Sequence, residues 1–218
     1  MMGTMLTQTN DPGGADHTAR PMRGPGRPVG DREEKRAELL RAATSVIAEQ
    51  GFARASLRKV AERAGYTTGA VTYYFANKSD LVHALAESRF DRYDTLLDAV
   101  APEADIRGLL QQWLEMSVGE PEFSHVMSQL LANTQFDAKL RETIARRYAS
   151  YRARFADVVR EGQRRGTIRD DVSAVILVDQ IGAMGDGLAI IAPLEPHNFG
   201  ADKIEQILDG VIRLISPP

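Results

Sequence analysis

Residues 64–81 read AGYTTGAVTYYFANKSDL. The order of these residues predicts a helix ending at Gly65, a second helix of barely two turns, and a third start at Asn77. Isolated helices shorter than about 12–15 residues are marginal in water. A helix this short therefore needs a reason other than its own stability. Upstream, Ser56 is placed to N-cap a helix whose inner face is Leu57, Val60, Ala61 and Ala64. Gly65 supplies a left-handed C-terminal residue at little steric cost. Thr67 N-caps the second helix, which turns Val71, Tyr74 and Phe75 inward and leaves Thr68, Gly69, Thr72 and Tyr73 outside. Two short helices joined by a Gly-containing turn make a helix-turn-helix. In that arrangement the N-terminal residues of the second helix enter the DNA major groove. Asn77 and Asp80 cap the following helix and put Lys78 in its first turn. A cation there opposes the helix dipole, but a phosphate beside it would meet both the ammonium and the free amides.

The charge distribution fits one polyanion-binding end. Residues 20–78 hold 12 Lys and Arg against 6 Asp and Glu, whereas residues 81–218 hold 15 against 21, so a local +6 faces a local −6 within a net charge of −3. The 218-residue chain is 43% hydrophobic and contains no cysteine, which permits a substantial core and excludes disulfides and thiolate metal sites. No apolar run near 18 residues and no signal-like N-terminal core are read from the sequence, so a cytoplasmic protein is expected.

Nearly everything beyond residue 30 has helical periodicity, and alternating strand patterns are nearly absent. The expected fold is all-α with about nine helices. The first runs from Asp31 to Gln50, with a capping-box-like Asp31 and Glu34 and a stop at Gly51. A long stripe of Leu140, Ile144, Tyr148, Tyr151, Phe155 and Val158 ends near Gly166. A mostly apolar helix covers about 171–193, and a last stripe carries Ile204, Ile207, Leu208, Val211 and Ile215.

The run GFARASLRKVAERAGYTTGAVTYYFANKSDL, residues 51–81, resembles the DNA-binding domain of the tetracycline-repressor (TetR) family. Gly51-Phe52, Ser56, Val60-Ala61, Ala64-Gly65, Gly69 through Phe75, and Lys78 with Leu81 carry the resemblance. It implies a helix-turn-helix domain over residues 31–82 and an all-helical ligand-binding and dimerisation domain over 83–218. It also implies DNA-facing roles for Ser56, Thr67, Thr68, Gly69, Thr72, Tyr73, Tyr74 and Lys78. Thr72 stands where the family usually has a phosphate-contacting tyrosine, and Tyr73 is expected to take over that contact. In the expected flexible basic arm, residues 1–30, Arg23 and Arg27 suit an A·T-rich minor groove; a solubilising tail is the alternative. The stretches GQRRGTIRDD and DGLAI resemble the subclass of choline-responsive and related repressors.

The function that the resemblance implies is a dimeric regulator, in sense a repressor, of a palindromic double-stranded DNA operator, released by a small-molecule effector. Candidate effector contacts are Trp113, Met116, Met127, Phe136, Tyr148, Tyr151 and Met184, although a stripe at helical spacing also describes plain core. Asp179 and Asp186 are read either as partners of a cationic ligand or as edge-exposed residues. Gly182, Gly185 and Gly187 interrupt the apolar helix, where close approach of another helix, in a dimer or in the core of one chain, or room for a ligand would justify them. Control by a protein partner is a second reading. A helical metal-dependent enzyme is a third: Glu122 and His125 have half of a dimetal spacing, but no matching second half is present. No cofactor is called for.

Overall fold

The computed structural model describes residues 29–218, and the arm carrying Arg23 and Arg27 lies outside them. The described residues form nine α-helices and one 3-10 turn, with no strand. The helices are α1 (Val29–Gln50), α2 (Leu57–Ala64), α3 (Thr68–Tyr74), α4 (Lys78–Val100), α5 (Ile106–Gly119), α6 (Pro121–Asn133), α7 (Ala138–Arg164), α8 (Ala174–Ile191) and α9 (Ala201–Ile215).

The first helix begins earlier than its capping signal suggests. It is already helical at Val29, so Asp31 lies in its first turn and pairs with Lys35 at 3.3 Å, one turn on. The expected Asp31–Glu34 capping box is thus replaced by an i, i+4 ion pair. Gly51 ends the helix with φ 82°, and its N–H donates to the Ile47 carbonyl.

Two apolar cores stack along the molecule. One gathers Leu39, Ala43, Val46 and Ile47 of α1 with Val60 and Ala61, Val71 and Phe75, Leu81 and Leu85, and with Val126, Leu130, Leu140 and Ile144. The other gathers Leu97, Val100, Leu109, Phe155, Val159, Leu177, Ile181, Val211 and Ile215. Helices α4 and α7 each contribute to both. At 1.5 Å per residue the 23 residues of α4 span about 35 Å. It runs unbroken through the boundary expected at residues 82 and 83.

Charge pairs fix how α4 lies on α7. Glu87 meets Arg146 and Arg147, Asp91 meets Arg147 at 2.7 Å, and Asp94 meets Arg147 and Arg154 at 3.0 and 2.6 Å. Asp98 also meets Arg154. Residue numbers rise together on both helices, so α4 and α7 run in the same direction. Most of these side chains keep solvent contact, and each such pair is worth about 0–1 kcal/mol; they set register more than stability.

Helix α8 is mostly apolar, with Asp179 and Asp186 interrupting its run. Over its 18 residues its mean hydropathy is 1.6, long and apolar enough by that measure to cross a membrane, with only 22% of it buried. It instead packs on α5, α6 and α7. Its other side, with Val175, Ile176, Ile190 and Ile191, is open, as are Leu194 beyond it and Leu214 on α9. Exposed apolar residues gathered on one side in this way mark a candidate interaction surface.

Candidate nucleic-acid interface and internal cavity

Local chemistry builds the helix pair near the N-terminal end. Ser56, extended at φ −150°, accepts the Lys59 N–H with its hydroxyl and starts α2. Gly65 is left-handed at φ 72°, and the next amide, Tyr66, donates back to Ala61 at 2.9 Å. That paired closure is how glycine ends a helix in a single residue. The Tyr66 hydroxyl donates to Glu38 and ties the turn to α1. Thr67 then accepts the Ala70 N–H at 3.2 Å and starts α3. Ala61 and Val71 are almost fully buried where the helices cross, with Phe75 beneath them.

With its inner side anchored, α3 presents Thr68, Gly69, Thr72 and Tyr73 to solvent. Tyr73 is 69% exposed, its ring edge-on to Tyr74 at 5.1 Å and 5.6 Å from the Arg32 guanidinium. Tyr74 is half-buried. A Cβ built on Gly69 would meet only the Thr67 hydroxyl, at 3.9 Å. Nothing inside the protein requires glycine there. The Thr72 hydroxyl donates to the Gly69 carbonyl at 3.0 Å, so it is engaged within its own helix.

Lys78 is more constrained than its sequence position suggests. Its ammonium donates to the carbonyls of Phe52 at 2.6 Å and Ala53 at 3.2 Å and lies 4.7 Å from the Phe52 ring. Partial burial holds its pKa below the usual lysine value. Asn77 caps α4 by accepting the Asp80 N–H. Lys78 therefore staples the loop before α2 to the start of α4, and its three N–H groups still leave one donor for an outside anion.

The second feature is a cavity of about 320 Å³ between α4, α5, α7 and α8. Phe90 and Tyr93 enter from α4, Leu109, Leu110 and Trp113 from α5, Tyr148, Tyr151 and Phe155 from α7, and Ile181, Gly182, Gly185 and Asp186 from α8. The rings form a continuous series: Phe90 to Tyr148 at 5.0 Å, Phe90 to Tyr93 at 5.8 Å, Tyr93 to Tyr151 at 5.9 Å, Tyr151 to Phe155 at 6.0 Å. Burial pushes the Tyr148 phenol up to about 12 and those of Tyr93 and Tyr151 higher still, with the Asp186 carboxylate adding to all three shifts. A Cβ on Gly185 would touch the Trp113 ring at 3.5 Å, so this glycine lets the indole lie close against α8. Gly182 and Gly187 meet nothing within 4 Å.

Of the effector candidates named from sequence, Trp113, Tyr148 and Tyr151 line this cavity. Four do not. Met127 is sealed in the N-terminal core, where the alignment of α6 under α1 carries it. Met116 is buried outside the cavity wall, and Phe136, in the turn before α7, is 81% exposed. Met184 borders a separate crevice of only about 20 Å³. Phe90 and Tyr93 went unnamed, although their i, i+3 spacing opposite Tyr148 and Tyr151 was a usable signal. Asp179 pairs with Arg152 at 3.3 Å. Glu122 accepts from Ser45 while His125 meets Gln129, so these two side chains turn to different partners.

Comparison with known proteins follows the same division. The family described as bacterial regulatory proteins, tetR family, matches residues 39–85, and the BetI-type transcriptional repressor C-terminal family matches residues 102–216. The HTH-type transcriptional regulator TtgR of Pseudomonas putida is 29% identical over 158 residues, covering 66% of this chain and 75% of that protein. The HTH-type transcriptional repressor SCO4008 of Streptomyces coelicolor is 25% identical, covering 76% and 83%. Among solved structures, a SmeT–triclosan complex superposes with TM-score 0.69 at 24% identity, covering 84% of this chain and 92% of that one. A regulator from Saccharomonospora viridis in complex with choline gives 0.68 at 23%, covering 83% and 95%.

Proposed function

Because this chain belongs to the TetR family of bacterial regulatory proteins, we propose that it is a homodimeric cytoplasmic repressor of a palindromic operator, released by a small molecule bound in the α4–α8 cavity. One observation carries the DNA-reading part. Helix α3 has seven residues, is capped at Thr67 and anchored by Val71, and offers Thr68, Gly69, Thr72 and Tyr73 on one open side. Such a side suits the major groove, with Gly69 allowing close approach. Lys78, Tyr73 and the basic arm would hold phosphates and sugars and so set register.

The open apolar side of α8 and α9 supports pairing of two copies. Two helices from each would form a four-helix contact and set two α3 helices about one DNA turn apart. The cavity supports control by a small molecule rather than by a protein partner, since it is concave and ring-lined. Its volume lies at the low end of the usual range for ligand sites, about 300–1,000 Å³. Helix α4 offers the route: Phe90 and Tyr93 face the cavity, while Leu81 and Leu85 underlie the helix pair. A ligand that favours one setting of α4 would favour one spacing of the two α3 helices.

Anisotropy of a labelled palindromic duplex tests this reading. Two chains should bind per duplex, and a compound shown to occupy the cavity should release them. Binding of one chain per duplex, or indifference to cavity occupancy, would contradict it.

A further inference from the structure

A second concave feature lies against α4, apart from the ring-lined cavity. Phe90 faces that cavity, whereas its neighbour Arg89 turns to α1, where its guanidinium donates to the Thr44 hydroxyl at 3.1 Å. The cleft there, about 610 Å³, is lined by Arg41, Thr44 and Ser45 of α1 and by Arg89 and Arg92 of α4. Two carboxylates join them where α5 meets α6, so three guanidinium groups face Glu120 and Glu122.

Both carboxylates are turned to partners of their own. Arg92 holds the two oxygens of Glu120 at 2.7 Å and keeps that carboxyl below the usual glutamate value, and Glu122 accepts from Ser45 at 3.2 Å. Arg41 makes no ion pair among the described residues. Arg89 is only 5% exposed, and burial pushes its pKa down to about 10. A charge taken out of water is costly, and an anion against it offsets part of that cost.

Two guanidinium forks from different helices set the kind of anion. A carboxylate has two oxygens and matches one fork, whereas a phosphate group has three free oxygens and can take both. At ~30 Å³ per water the cleft equals roughly twenty waters, which leaves room for a body esterified to the phosphate. The phosphates of DNA are not the source. At about 100° per residue, Arg41 lies about 180° round α1 from Arg32, which lines the groove beside Tyr73. The cleft therefore opens away from the reading side of α3.

We propose that this cleft binds a phosphate group, as the free ion or as a small monoester, between Arg41 of α1 and Arg89 of α4. Bound there, it ties the two helices where Thr44 and Arg89 already join them.

Calorimetry on the full chain without DNA tests this, with ionic strength held constant by sodium chloride. Inorganic phosphate and glucose 6-phosphate are the probes, and glucose is the uncharged comparison. Saturable binding of one phosphate-bearing probe per chain is expected, and none of glucose. The tighter probe identifies the source: glucose 6-phosphate a monoester, inorganic phosphate the free ion. Arg89→Gln should abolish binding if it keeps the wild-type thermal midpoint. Arg41→Gln, at an exposed position, decides the matter if Arg89→Gln does not fold, and should weaken binding at least tenfold. Arg141→Gln removes the same charge from an exposed site on α7 and should leave binding as it was. No saturable binding of either probe, or wild-type affinity in Arg41→Gln, would overturn the proposal. So would an equal loss in Arg141→Gln, which would reduce the effect to diffuse charge.

Discussion

The side-chain oxygen of Gln129 accepts the backbone N–H of Phe52 at 2.6 Å, joining α6 to the loop that starts the DNA-reading helix pair. The same side chain donates to the Ile47 carbonyl at 3.3 Å, and Lys78 holds the Phe52 carbonyl from the other side. Phe52 is thus gripped by one residue from α6 and one from the head of α4. Gln129→Ala should cost about 1–2 kcal/mol in urea unfolding, since two bonds are lost and the half-buried Phe52 amide is left without its partner. It should also shrink the ratio of DNA affinities with and without effector. An unchanged ratio would show that coupling runs through α4 alone.

Tyr73→Ala separates DNA contact from folding. The ring is mostly exposed, so unfolding free energy should move by less than about 0.5 kcal/mol. Affinity for the operator should fall roughly tenfold, or about 1.4 kcal/mol, because Thr72 is occupied within its helix and cannot replace the contact. Unchanged affinity in an anisotropy titration would remove Tyr73 from the interface.

Lys78→Ala should weaken binding to all duplexes alike and lower the slope of log affinity against log salt by about 1. Its depressed pKa gives the alkaline arm a direction: the contribution of Lys78 should fade at lower pH than an ordinary lysine's would. A loss of preference at one base pair with the slope intact would contradict a phosphate role.

The legible part of this molecule is the part governed by local rules. Ser56, Gly65, Thr67 and Asn77 act where their side chains and backbones predict, because capping and left-handed turns are decided within four residues. The cavity was only partly legible. Trp113, Tyr148 and Tyr151 line it, but Met127 and Phe136 have the same composition signal and lie in a core and on the surface. Which aromatic faces a space depends on how α4, α5, α7 and α8 cross, and that is settled by long-range packing. Gly185 illustrates the limit: spacing marked it as a contact glycine, and the contact is Trp113 of its own chain.

Ile190→Glu probes the proposed pairing of α8 and α9 between two copies. The side chain is 59% exposed in the single chain, so little packing within the protomer is lost. A carboxylate there would have to be desolvated in a dimer, at several kcal/mol. Sedimentation should show monomers, and operator binding should fail with them. A stable dimer would place the contact elsewhere.

Asp186 also predicts a pH effect on stability. Its folded-state pKa is raised, so its favourable contribution is full below the unfolded value and is lost as pH rises through the folded one. The groups facing it are Tyr93 on α4, Tyr148, Tyr151 and Arg152 on α7, and Asp179 on α8. The phenols stay neutral through that window. Asp186→Asn should therefore raise the neutral-pH midpoint of thermal unfolding and flatten its dependence just above the ordinary aspartate range. An unaltered profile would mean that the carboxylate is as well solvated folded as unfolded.

Enrichment of duplexes from a random pool tests the central claim most directly. The wild-type chain should select a two-fold symmetric sequence whose half-sites lie about one helical turn, 10–10.5 base pairs, apart, and hold it with a steep salt dependence. Selection of no sequence, or of an asymmetric one bound by a single chain, would contradict the assignment of α3 as the reading helix of a dimeric repressor.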